Sequence, residues 1–271
     1  MATATITESP MDAAFGQASR MNILGVGIST INMNDAVGLS DALIRSGNKS
    51  YICVTDVHTV IEAQSDTALR SILNHSFLTT PDGVPLVWIG RLLGHRRLRR
   101  VYGPDFLIEM CKVSAQRKYR HFFFGGKPGV AQSLAAKLTE RFPGLEIVGT
   151  YMPPFRPLTR NEEQQLEQMV REAQPDILWV GLGSPKQEKF MAQFCGRLDA
   201  KLMVGVGAAF DIHSGAVKEA PQWLKTMGLQ WLHRLALEPR RLWRRYSICI
   251  PSFIWGISLQ FLGIRRFSIG A

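Results

Sequence analysis

From residue 21 onward the chain alternates short apolar runs, most of them closing at glycine, with longer stretches of helical periodicity. A parallel sheet requires that order. Strands buried on both faces read as near-continuous apolar runs, and each crossover to the next parallel strand takes a helix. Strands are predicted at 51–55 (YICVT), 121–125 (HFFFG), 145–149 (LEIVG), 176–181 (DILWVG) and 201–207 (KLMVGVG). Helices are predicted near 58–74, 104–117, 128–141, 160–173 and 186–196. The expected fold class is α/β, a mostly parallel sheet flanked by helices. A length of 271 residues suits one large domain, and 46% hydrophobic with 20% charged residues excludes collagen-like, disordered and polytopic membrane classes.

Three segments are expected. Residues 1–20 are small and polar, lack the basic start and apolar stretch of a secretory leader, and read as a loose tail. Residues 21–217 form the α/β core. Residues 218–271 show no strand pattern, carry several tryptophans and read as a basic, aromatic helical appendage. Cys53, Cys111, Cys195 and Cys249 are scattered, without zinc-ligand spacing, which suits a reducing interior.

Charge is localised. The net charge is +10, and residues 234–271 supply +6 of it, with seven arginines against one acid, Glu238. Residues 91–100 (RLLGHRRLRR) add five arginines and no acid, leaving the rest of the chain close to neutral. Such clusters favour partners bearing phosphate: a nucleotide, a nucleic acid or an anionic membrane.

Ligands of an open parallel sheet bind where strand ends lead into helix N-termini. Three glycine-bearing strand ends fit, at 122–129, 179–189 and 204–211. There Gly125, Gly126 and Gly183 would let the backbone approach a ligand, and Lys127 or Lys186 could face a diphosphate. Any one of these glycines is better explained by a tight turn; three together favour a nucleotide site. Gly25-Val26-Gly27 lacks the third glycine of the dinucleotide fingerprint, and no Walker A pattern occurs, which disfavours a nucleotide-dependent oxidoreductase and a P-loop enzyme. Asp82, in TTPDGVPLVW (79–88), is either a general base at a strand end or part of an Asp-Gly turn, and Asp211 carries the same ambiguity. There is no D-x-D and no H-E-x-x-H, so neither a metal nor a cofactor is expected. Arginines, lysines and helix dipoles would then neutralise a leaving group.

The C-terminal segment interleaves arginine with Trp, Leu and Tyr and runs apolar over the seventeen residues 248–264, interrupted by Pro251, Ser252, Ser258 and Gln260. A spanning helix needs about 20 predominantly apolar residues. The pattern fits a segment lying on an anionic bilayer, with packing against the protein's own core as the alternative, and fits nucleic acid less well. A non-catalytic basic membrane- or nucleic-acid-binding adaptor is the competing reading of the whole chain, but it leaves the glycine-ended strands unused.

The ordered blocks PDGVPLVW, RRVYGPDFL, FFFGGKPGVA, GTYMPPF, VGLGSPKQEKFM and the long run from VGVGAAFDIHSG to LEPRRLWRRY resemble the WecG/TagA/CpsF family of bacterial glycosyltransferases, from about residue 23 to 246. The resemblance implies a Rossmann-like fold and an inverting, metal-independent transfer of a sugar from a UDP-sugar to a polyprenyl-diphosphate-linked sugar. The sugar would be N-acetylmannosamine, its uronic acid or glucose. The setting would be cell-surface polysaccharide synthesis at the cytoplasmic face of the bacterial inner membrane, the protein being peripheral or monotopic. Asp82 would be the base. Arg100 and Gln187 would contact the donor, with Gly125, Gly126, Gly183, Lys186 and Asp211 at the strand-end loops. Arg234, Arg241 and Arg244 would bind diphosphates and hold the bilayer. Where many relatives carry Thr-Pro-Asn, this chain has Val54-Thr55-Asp56, so a polar contact passes to Asp56. Expected partners are the donor, the lipid acceptor and anionic lipids, with a homo-oligomer left open, but not nucleic acid.

Overall fold

The computed structural model describes residues 18–270, apart from the side chains of Gln222, Thr226 and Arg241. Strands β1 (Arg20–Ile23) and β2 (Val26–Ser29) form an antiparallel hairpin. The main sheet has six strands, β3 (Ser50–Thr55), β4 (Leu78–Pro81), β5 (Arg120–Gly125), β6 (Glu146–Tyr151), β7 (Ile177–Gly181) and β8 (Leu202–Gly205). Their spatial order is β4-β3-β8-β7-β5-β6, and every pairing is parallel. The α/β expectation holds. Alternation along each strand feeds two cores: Leu178 and Val180 of β7 point to one face, Ile177 and Trp179 to the other.

Helices α1 (Met33–Ser46), α2 (Val57–Ser65), α3 (Thr67–His75), α4 (Val84–Leu92), α5 (Gly103–Arg117), α6 (Val130–Arg141), α7 (Arg160–Ala173), α8 (Lys186–Phe194) and α9 (Ala209–His213) cover the sheet. The single helix predicted at 58–74 is two, α2 and α3. The Asp66 carboxylate accepts from the Leu69 amide at 2.9 Å, and that cap starts a second helix where periodicity alone runs straight through. Further elements escaped the sequence reading: the hairpin, α1, β4, α4 and the short α9. The hairpin and β4 have strands of only four residues, and β4 (LTTP) carries two threonines, so neither offers an apolar run. Helix α4 begins with Pro85 in its first turn, directly after the Asp-Gly pair that reads as a loop.

Of the tail expected at 1–20, residues 1–17 lie outside the described residues, and Arg20 already opens β1. Its guanidinium donates to the carbonyls of Gly27, Leu73 and Asn74, tying the hairpin to the end of α3.

The appendage is helical as expected: α10 (Gln222–Thr226), α11 (Gln230–Leu237) and α12 (Pro239–Phe261). Among the described residues no helix is long and apolar enough to cross a membrane. One face of α12 packs on the core, burying Cys249 and Phe253. Near its end the Gln260 amide group donates to the Asn22 carbonyl and accepts from the Leu24 amide, both at 2.8 Å, while Gly256 leaves room for the Leu24 side chain. Away from the core, Trp243, Ile248, Trp255 and Phe261 are left exposed.

Candidate active site

Four parallel strands, β4, β3, β8 and β7, end side by side, and the loops leaving them enclose a cavity of about 680 Å³. Helices α11 and α12 form its far wall through Arg234, Arg245 and Tyr246. Three helices begin at this edge. Asp56 caps α2, accepting from the Thr59 amide at 2.8 Å and the Thr59 hydroxyl at 2.9 Å. Helices α4 and α8 start without a side-chain cap. Their free amides and dipoles make this edge favourable for anions. Gly183, just before α8, adopts φ +75 with open space where a Cβ would stand, so a ligand can approach its backbone closely.

Asp82 follows β4 directly, with its amide bonded to the Thr55 carbonyl at 2.9 Å. The Val101 amide donates to Pro81 at 2.9 Å and so holds the basic loop beside the strand end. Arg100 is thereby placed against Asp82. Its guanidinium reaches the Asp82 carboxylate at 3.0 Å and the Gln230 side chain at 2.8 Å, bonds the Asp82 carbonyl, and lies 4.3 Å from the Tyr102 ring centroid. Gln230 in turn donates to the Tyr102 hydroxyl. Burial raises the pKa of Asp82 above the ordinary carboxylate range, Arg100 opposes that rise, and the nearby Asp56 charge adds to it.

Asp56 titrates the other way. Burial acts to raise its pKa, but Arg245 at 4.0 Å, the Thr59 hydrogen bonds and His58 together hold it below the usual value. Its side chain is enclosed by protein yet 44% exposed, because it faces the cavity. The two carboxylates therefore differ: one is a tied, ionised cap and the other is a more basic group next to a cation. Beneath the floor, Gln187 is buried and donates to Glu188 at 3.1 Å. The Glu188 carboxyl is pushed up to about 7, chiefly by burial.

Of the residues singled out from the sequence, Asp56, Asp82, Arg100, Gly183, Gln187 and Arg234 line this one cavity. Gly125 and Gly126 lie outside its lining. A Cβ on Gly125 would stand 2.7 Å from the Gly181 carbonyl oxygen, and that close β5–β7 approach accounts for the glycine. Lys186 and Arg244 are exposed to solvent, and Asp211 sits on α9 outside the lining, beside the lining residue Ile212. The Arg241 side chain lies outside the described residues. Among the described residues no three His, Cys, Asp or Glu side chains gather as a metal-binding group.

The sequence model of the glycosyl transferase WecG/TagA/CpsF family matches residues 21–266. The chain belongs to this family. Similar curated proteins include an N-acetylglucosaminyldiphosphoundecaprenol N-acetyl-beta-D-mannosaminyltransferase of Bacillus subtilis (strain 168), 32% identical over 204 residues, covering 75% of this chain and 77% of the relative. The enzyme of the same name from Bacillus spizizenii is 28% identical over 208 residues, covering 77% and 78%. The protein is thus a WecG/TagA/CpsF glycosyltransferase, and its Pro-Asp-Gly and Pro-Lys-Gln-Glu segments both contribute to the cavity lining.

Sequence reasoning missed several lining residues of this glycosyltransferase: His58, Thr59, Tyr102, Ser184, Gln230 and Arg245. Arg245 counted only toward the charge of the tail, whereas the helical turn of α12 faces it inward and its neighbour Arg244 outward. Thr59 and Ser184, 125 residues apart, share a hydroxyl contact of 3.1 Å that joins the starts of α2 and α8.

Proposed function

We propose that the protein transfers a sugar, with inversion and without a metal ion, from a UDP-sugar to a polyprenyl-diphosphate-linked N-acetylglucosamine. The names of its relatives favour N-acetylmannosamine as the sugar, within cell-envelope polysaccharide synthesis. One observation carries this reading: Asp82, whose carboxyl burial has made more basic, shares a cavity with Arg100, Arg234 and Arg245.

In the proposed step Asp82 takes the proton of the acceptor hydroxyl while that oxygen bonds to C1 of the donor sugar. The C1–O bond to the diphosphate breaks on the opposite face, and its electron pair leaves with UDP. One base suffices for a single displacement, and a raised pKa strengthens that base. Arg234, Arg245 and the uncapped starts of α4 and α8 would take up charge developing on the diphosphate, which is the part a divalent cation plays elsewhere. Asp56 stays ionised as the α2 cap and orients Arg245. Arg100 would hold Asp82 until the acceptor arrives.

The deciding assay follows UDP release with a lipid-diphosphate N-acetylglucosamine acceptor. Asp82→Asn is expected to lose about 10²-fold or more in kcat and to retain UDP binding by calorimetry. Full activity of that variant removes Asp82 from the chemistry. Turnover is expected to survive chelation, and the product anomer, read by NMR, to be opposite to that of the donor. We also propose that the protein works as a peripheral enzyme on the cytoplasmic bilayer face, held there by the exposed aromatic and basic face of α12.

A further inference from the structure

The cavity has two dissimilar ends. Around Asp82 it is polar. Toward the outside it runs between α4 and α12, where Trp88, Ile89 and Leu92 face Ile250, Ile254 and Ile257. Three of these large apolar side chains are held open: Trp88 is 55%, Leu92 80% and Ile254 61% exposed. A sugar nucleotide has no apolar part to set against such walls. Cations flank the junction of the two ends. Arg91, Arg99 and Lys225 line a smaller recess of about 290 Å³ that shares Trp88, Arg100 and Tyr102 with the main cavity. Asp105 also lines it, and burial pushes its carboxyl toward the neutral form. The order base, cations, apolar slot is that of a molecule carrying a hydroxyl, then a diphosphate, then a hydrocarbon chain.

We infer that the slot between α4 and α12 takes the first isoprene units of the acceptor's polyprenyl chain. The inference rests on the acceptor class proposed above. The slot makes the enzyme read the lipid itself, over and above any contact that α12 makes with a bilayer. Each methylene buried there strengthens binding about fourfold, so even a short prenyl chain is discriminated from none.

The test is carried out without membranes or micelles, using two water-soluble acceptors: N-acetylglucosamine diphosphate bearing either a methyl or a farnesyl group. The unmodified protein is expected to show a KM at least tenfold lower for the farnesyl acceptor. Leu92→Ser combined with Ile254→Ser should erase most of that difference, leaving the KM for the methyl acceptor and for the donor unchanged. Trp255→Ser, on the face of α12 outside the cavity, should alter neither value. Equal treatment of the two acceptors by the unmodified protein overturns the inference, as does a double variant that keeps full farnesyl preference. A farnesyl acceptor carrying a photoreactive diazirine gives a readout independent of turnover. Labelling of α4 and α12 in the unmodified protein supports the slot, and labelling confined to other segments overturns it. If the unmodified protein transfers sugar to neither acceptor, the proposed reaction falls, while the photolabelling still decides where the chain lies.

Discussion

Asp82 and Asp56 show how two identical side chains on adjacent strand ends acquire different properties. Both face the cavity, but Asp56 collects two hydrogen bonds from Thr59 and the charge of Arg245, whereas Asp82 has Arg100 and a weaker influence of Arg234 against burial and the Asp56 charge. As the proposed base, Asp82 must be ionised to react, so kcat/KM should fall as pH drops through a value raised above that of an ordinary carboxylate. Arg100 is a principal influence holding that value down, so Arg100→Gln is expected to move the acid limb of the kcat/KM profile to higher pH. An unmoved limb would detach Asp82 from the profile. Glu188 makes a separate prediction, about stability. Its folded pKa of about 7 lies above the ordinary 4.5, so between those values the unfolded chain binds fewer protons than the native one and stability falls as pH rises. The loss, about 3 kcal/mol at most, is complete above pH 7. Glu188→Gln, which keeps an acceptor for Gln187, should therefore raise Tm at pH 8 and change it little at pH 4.5.

At the scale of elements, legibility followed the length of the apolar signal. The five strands predicted from apolar runs are all present within a few residues, whereas β4, equally buried, shows only four residues and two threonines. Its position between the basic loop and β3 depends on backbone bonds to residues far along the chain. Strand-end glycines split into two kinds that sequence alone leaves indistinguishable. Gly183 opens toward the cavity, but Gly125 (φ +115) is closed against the Gly181 carbonyl. Gly125→Ala should cost about 3 kcal/mol in denaturant unfolding, without changing the KM for the donor among molecules that remain folded. Gly183→Ala, at φ +75, should cost about 1 kcal/mol of backbone strain and in addition raise KM for the donor, because a methyl group there meets no protein atom but obstructs the ligand.

For the whole molecule, the decisive feature is that the basic tail serves as a wall of the cavity. Helix α12 is latched at its far end, where Gln260 satisfies the Leu24 amide and the Asn22 carbonyl of the hairpin turn, with Leu24 itself held at φ 52. Gln260→Ala is expected to speed proteolysis at the α11–α12 junction and to raise the acceptor KM, with the parallel sheet still protected in hydrogen exchange. Truncation after Glu238 should abolish liposome flotation and turnover together; unchanged flotation would place bilayer attachment elsewhere. The local chemistry of the chain determined much of this protein. Alternating apolar runs and helices dictated the parallel sheet, and the Pro-Asp-Gly and Pro-Lys-Gln-Glu blocks carried the family. Which arginine of α12 turns inward, how Gln230 comes to touch an arginine 130 residues earlier, and how Asp82 becomes more basic than Asp56 were decided by tertiary structure. The reason is physical: charge interactions and desolvation depend on distances through space, and distances between remote segments exist only once the helices have packed.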